Sequence, residues 1–418
     1  MGYIRKTLNY GQNWFIIPYW KGIGGKMIET ELFERIYEAA SIQRWNDHIR
    51  PSDGFTELDK QAHKLYYAYV LSRVENGIDR LRLIEGCIFE FLHRIILTDL
   101  KPPVFYKLME QKGEQINTWV LSELEPTCKK IPGGFYERFR SYFLDPDYSK
   151  TEKTIIKAAH YLATKWEFNI VYHMSKDLYH IEKTKNEMEG ELAEFLDVDS
   201  VKRILYQDTS INDFVQYVAQ LRFQQRWART QRLPKTSVMG HMLVVALFSY
   251  FFSLEIGACG RRICNNFFGG LFHDLPEVLT RDIVSPVKNS VEGLDDVIKE
   301  IEIQMIDEKI YPLLPESWHS EIRYYIENEF SSKIMENGKV VTVTSDTINH
   351  TYNCKEYNPI DGEIIRAADH LSAYYEAKLS EKIGITSESL MSGAEGLRER
   401  YVNKRIGGID FSGYFTEF

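Results

Sequence analysis

Long uninterrupted apolar runs are missing from this 418-residue chain. The most apolar segment, Met242–Leu254, is broken by Ser249 and Ser253. It falls short of the roughly 18–20 residues that a bilayer crossing needs, so it reads as a buried helix. Cysteine is also scarce. Cys87, Cys128, Cys259, Cys264 and Cys354 are odd in number, scattered and without a CxxC pair. That excludes a disulfide framework or zinc ribbon and points to a reducing compartment. The opening MGYIRKTLNYGQNWFIIPYW lacks an apolar signal core, because Pro18 and polar residues interrupt it, and the expected location is the cytoplasm. Positive charge is not in excess: 60 acidic residues against 51 Lys plus Arg leave a net charge of −9. Neither nucleic acid nor an anionic membrane is therefore an expected partner of the chain as a whole. Strand signals are few, the best being KVVTVTSDTINHTYN (339–353), read as one small β-hairpin around a Ser-Asp turn.

What the chain has in abundance is helical periodicity. ELFERIYEAASIQRW, DRLRLIEGCIFEFLHRIIL and GEIIRAADHLSAYYEAKLSEKI place apolar residues at three- and four-residue spacing. The fold class expected is all-α, in two related halves, 1–190 and 200–418. EKTKNEMEGELAE (182–194), charged and poor in long apolar groups, marks a solvated linker or exposed helix between them. The halves look like copies. IIKAAHYLATKWE (155–167) aligns without gaps on IIRAADHLSAYYE (364–376), with six identities in thirteen. Gln43-Arg44-Trp45 repeats as Gln225-Arg226-Trp227, and LTDLKPPV (97–104) resembles LTRDIVSPV (279–287).

The sharpest local signal is FHDLPEVLTRD (272–282). His273 and Asp274 offer an imidazole and a carboxylate to one divalent cation, a mixed N/O set suited to Mn, Fe, Co, Ni or Zn. A His-Asp dipeptide alone is a weak signal, but three features join it. His241 lies in the apolar VMGHMLVVALFSYFF, where an imidazole needs a partner. Asp369 lies mid-helix beside Ala367, Ala368 and Leu371, costly unless exposed, paired or metal-bound. Glu277 follows His273 by four residues, about one helical turn.

The order His … His-Asp … Asp resembles the HD-domain metal-dependent phosphohydrolases, and most closely the bacterial YfbR-type 5′-deoxynucleotidases. The residues that carry the likeness are Arg226-Trp227, His241, His273-Asp274-Leu275-Pro276-Glu277-Val278-Leu279-Thr280, Asp282, Pro286-Val287-Lys288 and Ala368-Asp369, over about residues 210–385. The resemblance implies His241, His273, Asp274 and Asp369 as ligands of one divalent ion (Mn, Co, Fe, Ni, Zn or Mg). It implies Glu277, with Asp274, as the catalytic acids, Arg226 as the phosphate clamp, Trp227 on the sugar side, and Asp282 on a substrate hydroxyl. Gly240 precedes His241 where the family pattern has an acidic residue.

Arg226 suits a phosphate through its planar fork, and Glu277 suits proton transfer to water or leaving group. The same template laid on the first half meets Arg44-Trp45, His63, His93 and His160, with Arg94 in place of Asp274 and no counterpart of Glu277. The first half is thus expected to be a degenerate copy, with a three-histidine zinc site as the alternative. The function expected is hydrolysis of a small-molecule nucleotide, foremost removal of the 5′-phosphate of a (deoxy)nucleoside monophosphate. A triphosphate substrate, served by Arg229, Arg232 and Lys235, and a nucleotide sensor without turnover are the alternatives. The halves are expected to pack as a pseudo-dimer within one chain, with a weak homodimer left open.

Overall fold

The three- and four-residue apolar spacing folds into helices joined by short turns. The computed structural model describes residues 28–48, 54–98, 100–281 and 291–416. The first half runs through α1 (Thr30–Glu38), α2 (Glu57–Val74), α3 (Arg80–Leu97), α4 (Pro102–Cys128), α5 (Phe135–Leu144) and α6 (Lys150–Met174). The charged segment expected as linker or exposed helix is the mostly exposed α7 (Ile181–Phe195). Then come α8 (Asp199–Tyr206), α9 (Thr209–Val218), α10 (Val238–Glu255), α11 (Gly260–Phe272), the single turn α12 (Glu277–Thr280), α13 (Leu294–Lys309), α14 (Glu316–Ile326), α15 (Gly362–Lys382) and α16 (Glu388–Tyr401).

The hairpin lies upstream of its expected place. β1 (Lys333–Glu336) pairs antiparallel with β2 (Lys339–Thr342). The turn is Asn337-Gly338, with φ of +51° and +75°. Asn-Gly takes up that left-handed pair readily, and the resulting turn matches strand twist. Residues after Thr344 are helical instead, because the Thr344 hydroxyl accepts the Thr347 N–H at 3.1 Å and caps a short turn. A second short hairpin, β3 (Arg405–Ile406) with β4 (Ile409–Asp410), was not expected and turns at Gly407-Gly408.

Two helices at the centre position the site. α2 starts at a capping box in which Thr56 and Asp59 bond each other's backbone N–H groups. α10 starts at Ser237, whose Oγ accepts the Gly240 N–H at 2.9 Å. Each has 18 residues, and each is buried along nearly its whole length. With Val238–His241 included, α10 is long and apolar enough to cross a membrane by length and composition, and the structure buries it as a core helix. Gly270 permits its close packing with α11: a Cβ there would come within 2.9 Å of the Ala246 backbone. Gly362 does the same for the loop after α14, since a Cβ would meet the Phe330–Ser331 backbone at 2.3 Å.

The apolar core is continuous across both halves. Phe33 packs on Phe248 with centroids 4.3 Å apart. Tyr66 packs edge-on against Phe272 at 5.1 Å and donates its hydroxyl to the Leu271 carbonyl at 2.5 Å. Gly240 lies against the first half as well: a Cβ would stand 3.0 Å from Leu58 and 3.3 Å from the Asp59 carboxylate. An acidic side chain at this position would meet the Asp59 carboxylate. A fragment beginning near Val201 would expose this apolar surface. The expected result is an insoluble fragment, or a folded one of much lower activity, judged by soluble yield and specific activity. A soluble fragment with full activity would contradict the packing argument.

Candidate metal and phosphate site

His241 sits one turn into α10 and is fully buried. Its Nδ1 is 3.0 Å from the Ser372 hydroxyl on α15, which leaves Nε2 pointing at the other ligands. His273 ends α11, and its Nδ1 donates to the Gly270 carbonyl at 2.8 Å, again presenting Nε2. Both Nε2 atoms are buried and face the carboxylates of Asp274 and Asp369. Asp369 comes from mid-α15 and brings Oδ1 to 3.0 Å from His241 Nε2. Asp274, just after α11, places Oδ2 3.1 Å from His273 Nε2 and 3.7 Å from His241 Nε2. The imidazoles form a wall with 0% and 1% side-chain exposure, and the carboxylates a rim with 21% and 22%.

The electrostatics of the four groups agree with a cation site. Burial and Arg226 hold the His241 pKa below its ordinary value. For His273, burial opposes protonation, but Asp274 and Asp369 outweigh it and raise the pKa to about 9. Burial works against ionisation of Asp274 too, yet His273 and His241 hold it at about 2. Asp369 is likewise held low against burial, by His241, His273 and Arg226. Two ionised carboxylates beside two buried imidazoles favour positive charge at the centre, and without a cation the His273 ring supplies part of it by holding a proton. A divalent cation fits this N₂O₂ donor set, and the Nδ1 hydrogen bonds orient both rings for it. Within the described residues, His241, His273 and Asp369 form one ligand group, with donor atoms within 4.8 Å of one another.

The other expected residues surround this group. Arg226 brings Nη1 to 3.9 Å from Asp274 Oδ2. Trp227 is half-buried and packs near Gly393 of α16, where an added Cβ would be 3.5 Å from its ring. Glu277 opens α12 with its N–H on the Asp274 carbonyl at 3.0 Å and with 8% exposure. Asp282 and Lys288 lie outside the described residues. Arg232, read as a cation for extra phosphates, is fully buried and committed to Glu376 at 3.0 Å. Sequence reasoning missed Ser372 and Glu376, both of which lay within the aligned α15 segment. The repeated terminal Glu of that segment was the available signal.

The first half repeats the framework and changes the centre. Gln43 bridges Thr56 as Gln225 bridges Ser237, so the N-caps correspond and the fourth helical residues are Lys60 and His241. This corrects the expectation that His63 stands for His241. Lys60 is fully buried, and its Nζ reaches His160 Nδ1 at 2.5 Å, as His241 reaches Asp369. His63 instead faces Arg222 at 3.3 Å and Trp166 at 5.1 Å. His93 Nε2 is bonded to Asn117 Oδ1 at 3.0 Å. A lysine Nζ thus stands where the His241 imidazole stands in the second half, and burial holds its pKa well below the ordinary lysine value, with Glu57 opposing the shift. Burial would raise the Glu57 pKa, but Arg44, Lys60 and Arg94 hold it at about 2. The described residues do not gather His63, His93 and His160 into a ligand group. Lys60→Met, of similar length and uncharged, is therefore expected to leave metal content unchanged in elemental analysis. A fall in bound metal would show that the first half contributes an ion.

Residues 218–398 match the HD domain family. The matched segment is the one that carries His241, His273-Asp274 and Asp369. A 5′-deoxynucleotidase of Vibrio vulnificus is 27% identical over 154 residues, covering 34% of this chain and 73% of the relative. A dATP triphosphohydrolase of an Acinetobacter phage is 31% identical over 72 residues, covering 16% of this chain and 36% of the relative. No solved structure matches the chain significantly.

Proposed function

We propose that this protein is a metal-dependent nucleotide phosphohydrolase whose main reaction removes the 5′-phosphate of a (deoxy)nucleoside monophosphate. One observation carries the reading: two buried imidazole Nε2 atoms converge on two ionised carboxylates, 3.0 and 3.1 Å away, beside an arginine. The likeness to a 5′-deoxynucleotidase supports the substrate class. His241, His273, Asp274 and Asp369 would hold one divalent ion. Such an ion lowers the pKa of bound water and offsets phosphoryl charge. Arg226 grips phosphoryl oxygens through its terminal nitrogens. Glu277 moves a proton to the leaving ribose oxygen or from the attacking water. Trp227 and Asp282 contact the sugar. The protein works in the cytoplasm, without nucleic acid or membrane.

The chain is read as a fused pseudo-dimer with one active site. Supporting this are the recurring Arg-Trp pair, the paired N-caps and the matching 18-residue central helices. Phosphate release from a nucleotide panel with Mn, Co or Mg tests the proposal. Release from monophosphates is expected. Turnover of triphosphates alone would favour the second reading, which the phage relative supports. No release from any nucleotide would leave a nucleotide-binding sensor.

A further inference from the structure

Resting on the phosphohydrolase reading, we infer that Glu376 is a positioning residue that aims Arg226 at the substrate phosphate. Glu376 lies on α15 two turns beyond Asp369 and is 1% exposed. Its Oε2 accepts the Trp227 indole N–H at 2.8 Å and the Arg226 Nε–H at 3.4 Å. Its Oε1 accepts Arg232 Nη2 at 3.0 Å and the Thr236 hydroxyl. Burial would raise its pKa, but Arg232 and Arg226 hold it at about 2. With its oxygens taken by these donors, Glu376 serves its neighbours and not the substrate.

Two features give the arrangement a purpose. Trp227 has φ of +58°, a left-handed conformation that costs a bulky residue on the order of 1–3 kcal/mol. That conformation lets consecutive side chains, Arg226 and Trp227, reach one carboxylate oxygen. The inner Nε of Arg226 is thereby fixed, and its Nη end is left towards the metal ligands. The guanidinium stops 3.9 Å from Asp274, longer than a close charged hydrogen bond. An untethered Arg226 would be drawn onto Asp274 and would compete with both metal and phosphate. The first half carries the same tether. Trp45 has φ of +59°, and Glu167 Oε2 accepts Arg44 Nε at 2.8 Å and Trp45 Nε1 at 3.0 Å. There Arg44 Nη1 is pulled onto Glu57 at 2.9 Å. In that half the terminal nitrogen is taken up by a carboxylate of the chain itself.

The test compares wild type, Glu376→Gln, Arg226→Ala and the double variant as full-length chains. Measurements are kcat and KM on the best nucleotide, bound metal, and orthophosphate affinity by calorimetry. Glu376→Gln is expected to lower kcat/KM roughly 10–100-fold, the usual range for residues that orient a metal site. Orthophosphate binding should weaken while metal content is unchanged. Because Glu376 acts through Arg226, the double variant should be no worse than Arg226→Ala. Independent, multiplying losses, or unaltered orthophosphate affinity in Glu376→Gln, would overturn the assignment. If the single variant fails to fold because Arg232 is left as an unpaired buried charge, Glu376→Gln with Arg232→Met removes both charges and takes its place. A wild type that binds orthophosphate but hydrolyses no nucleotide would overturn the hydrolase reading alone, and the calorimetry would still judge Glu376. A wild type that does neither would overturn both.

Discussion

His273→Ala and Asp369→Ala are each expected to take bound divalent metal from about one equivalent per chain to near zero, and turnover with it. On the proposed reading, His241, His273, Asp274 and Asp369 would together hold the ion, whose charge offsets the two carboxylates. Removing His273 deletes the buried Nε2 that faces Asp274 at 3.1 Å, while Asp369→Ala leaves His241 Nε2 without its 3.0 Å carboxylate. Loss of a single preorganised oxyanion donor costs about 10²–10³ in rate. Loss of the ion removes activation of water as well as charge neutralisation, so the fall should exceed about 10³-fold. Elemental analysis after purification without chelator, alongside phosphate release, reads both effects. Two equivalents in the wild type, one of them surviving both substitutions, would place a second ion in the first half.

Glu277→Ala should separate catalysis from metal binding. The residue opens α12 three positions after Asp274 and lies beside the proposed ligands. Metal content is expected to stay at about one equivalent and KM to change little. Turnover is expected to fall about 10²–10⁴-fold, the span general acid–base groups supply. A variant that loses its metal would make Glu277 a ligand. Near-normal rates would move the proton-transfer role to another residue.

Much of this centre could be read in the sequence because it depends on residue type and order. His241, His273-Asp274, Glu277 and Asp369 could be picked out as imidazoles and carboxylates in otherwise apolar helices, before any contact was known. The first half resisted the same reading. Lys60 and His63 differ by three residues on one helix. Only the register of the N-caps Thr56 and Ser237 shows that Lys60 stands where His241 does. The hairpin slipped for a related reason: two competing turn signals lay within ten residues, and Asn337-Gly338 outranks Ser345-Asp346 in backbone preference.

Helical class and the candidate imidazole and carboxylate groups follow from the sequence by itself, since periodicity and side-chain chemistry are local properties. Which charges meet was decided by the tertiary structure. Arg222 of the second half reaches Glu167 of the first at 2.8 Å. Ser237 donates to Asp59, and Glu376 gathers Arg226, Trp227, Arg232 and Thr236 from a loop some 140 or more residues away. Partners so distant in sequence leave no spacing to read. They are set by how α2, α10 and α15 pack, and burial then turns each such meeting into a hydrogen bond that must be satisfied.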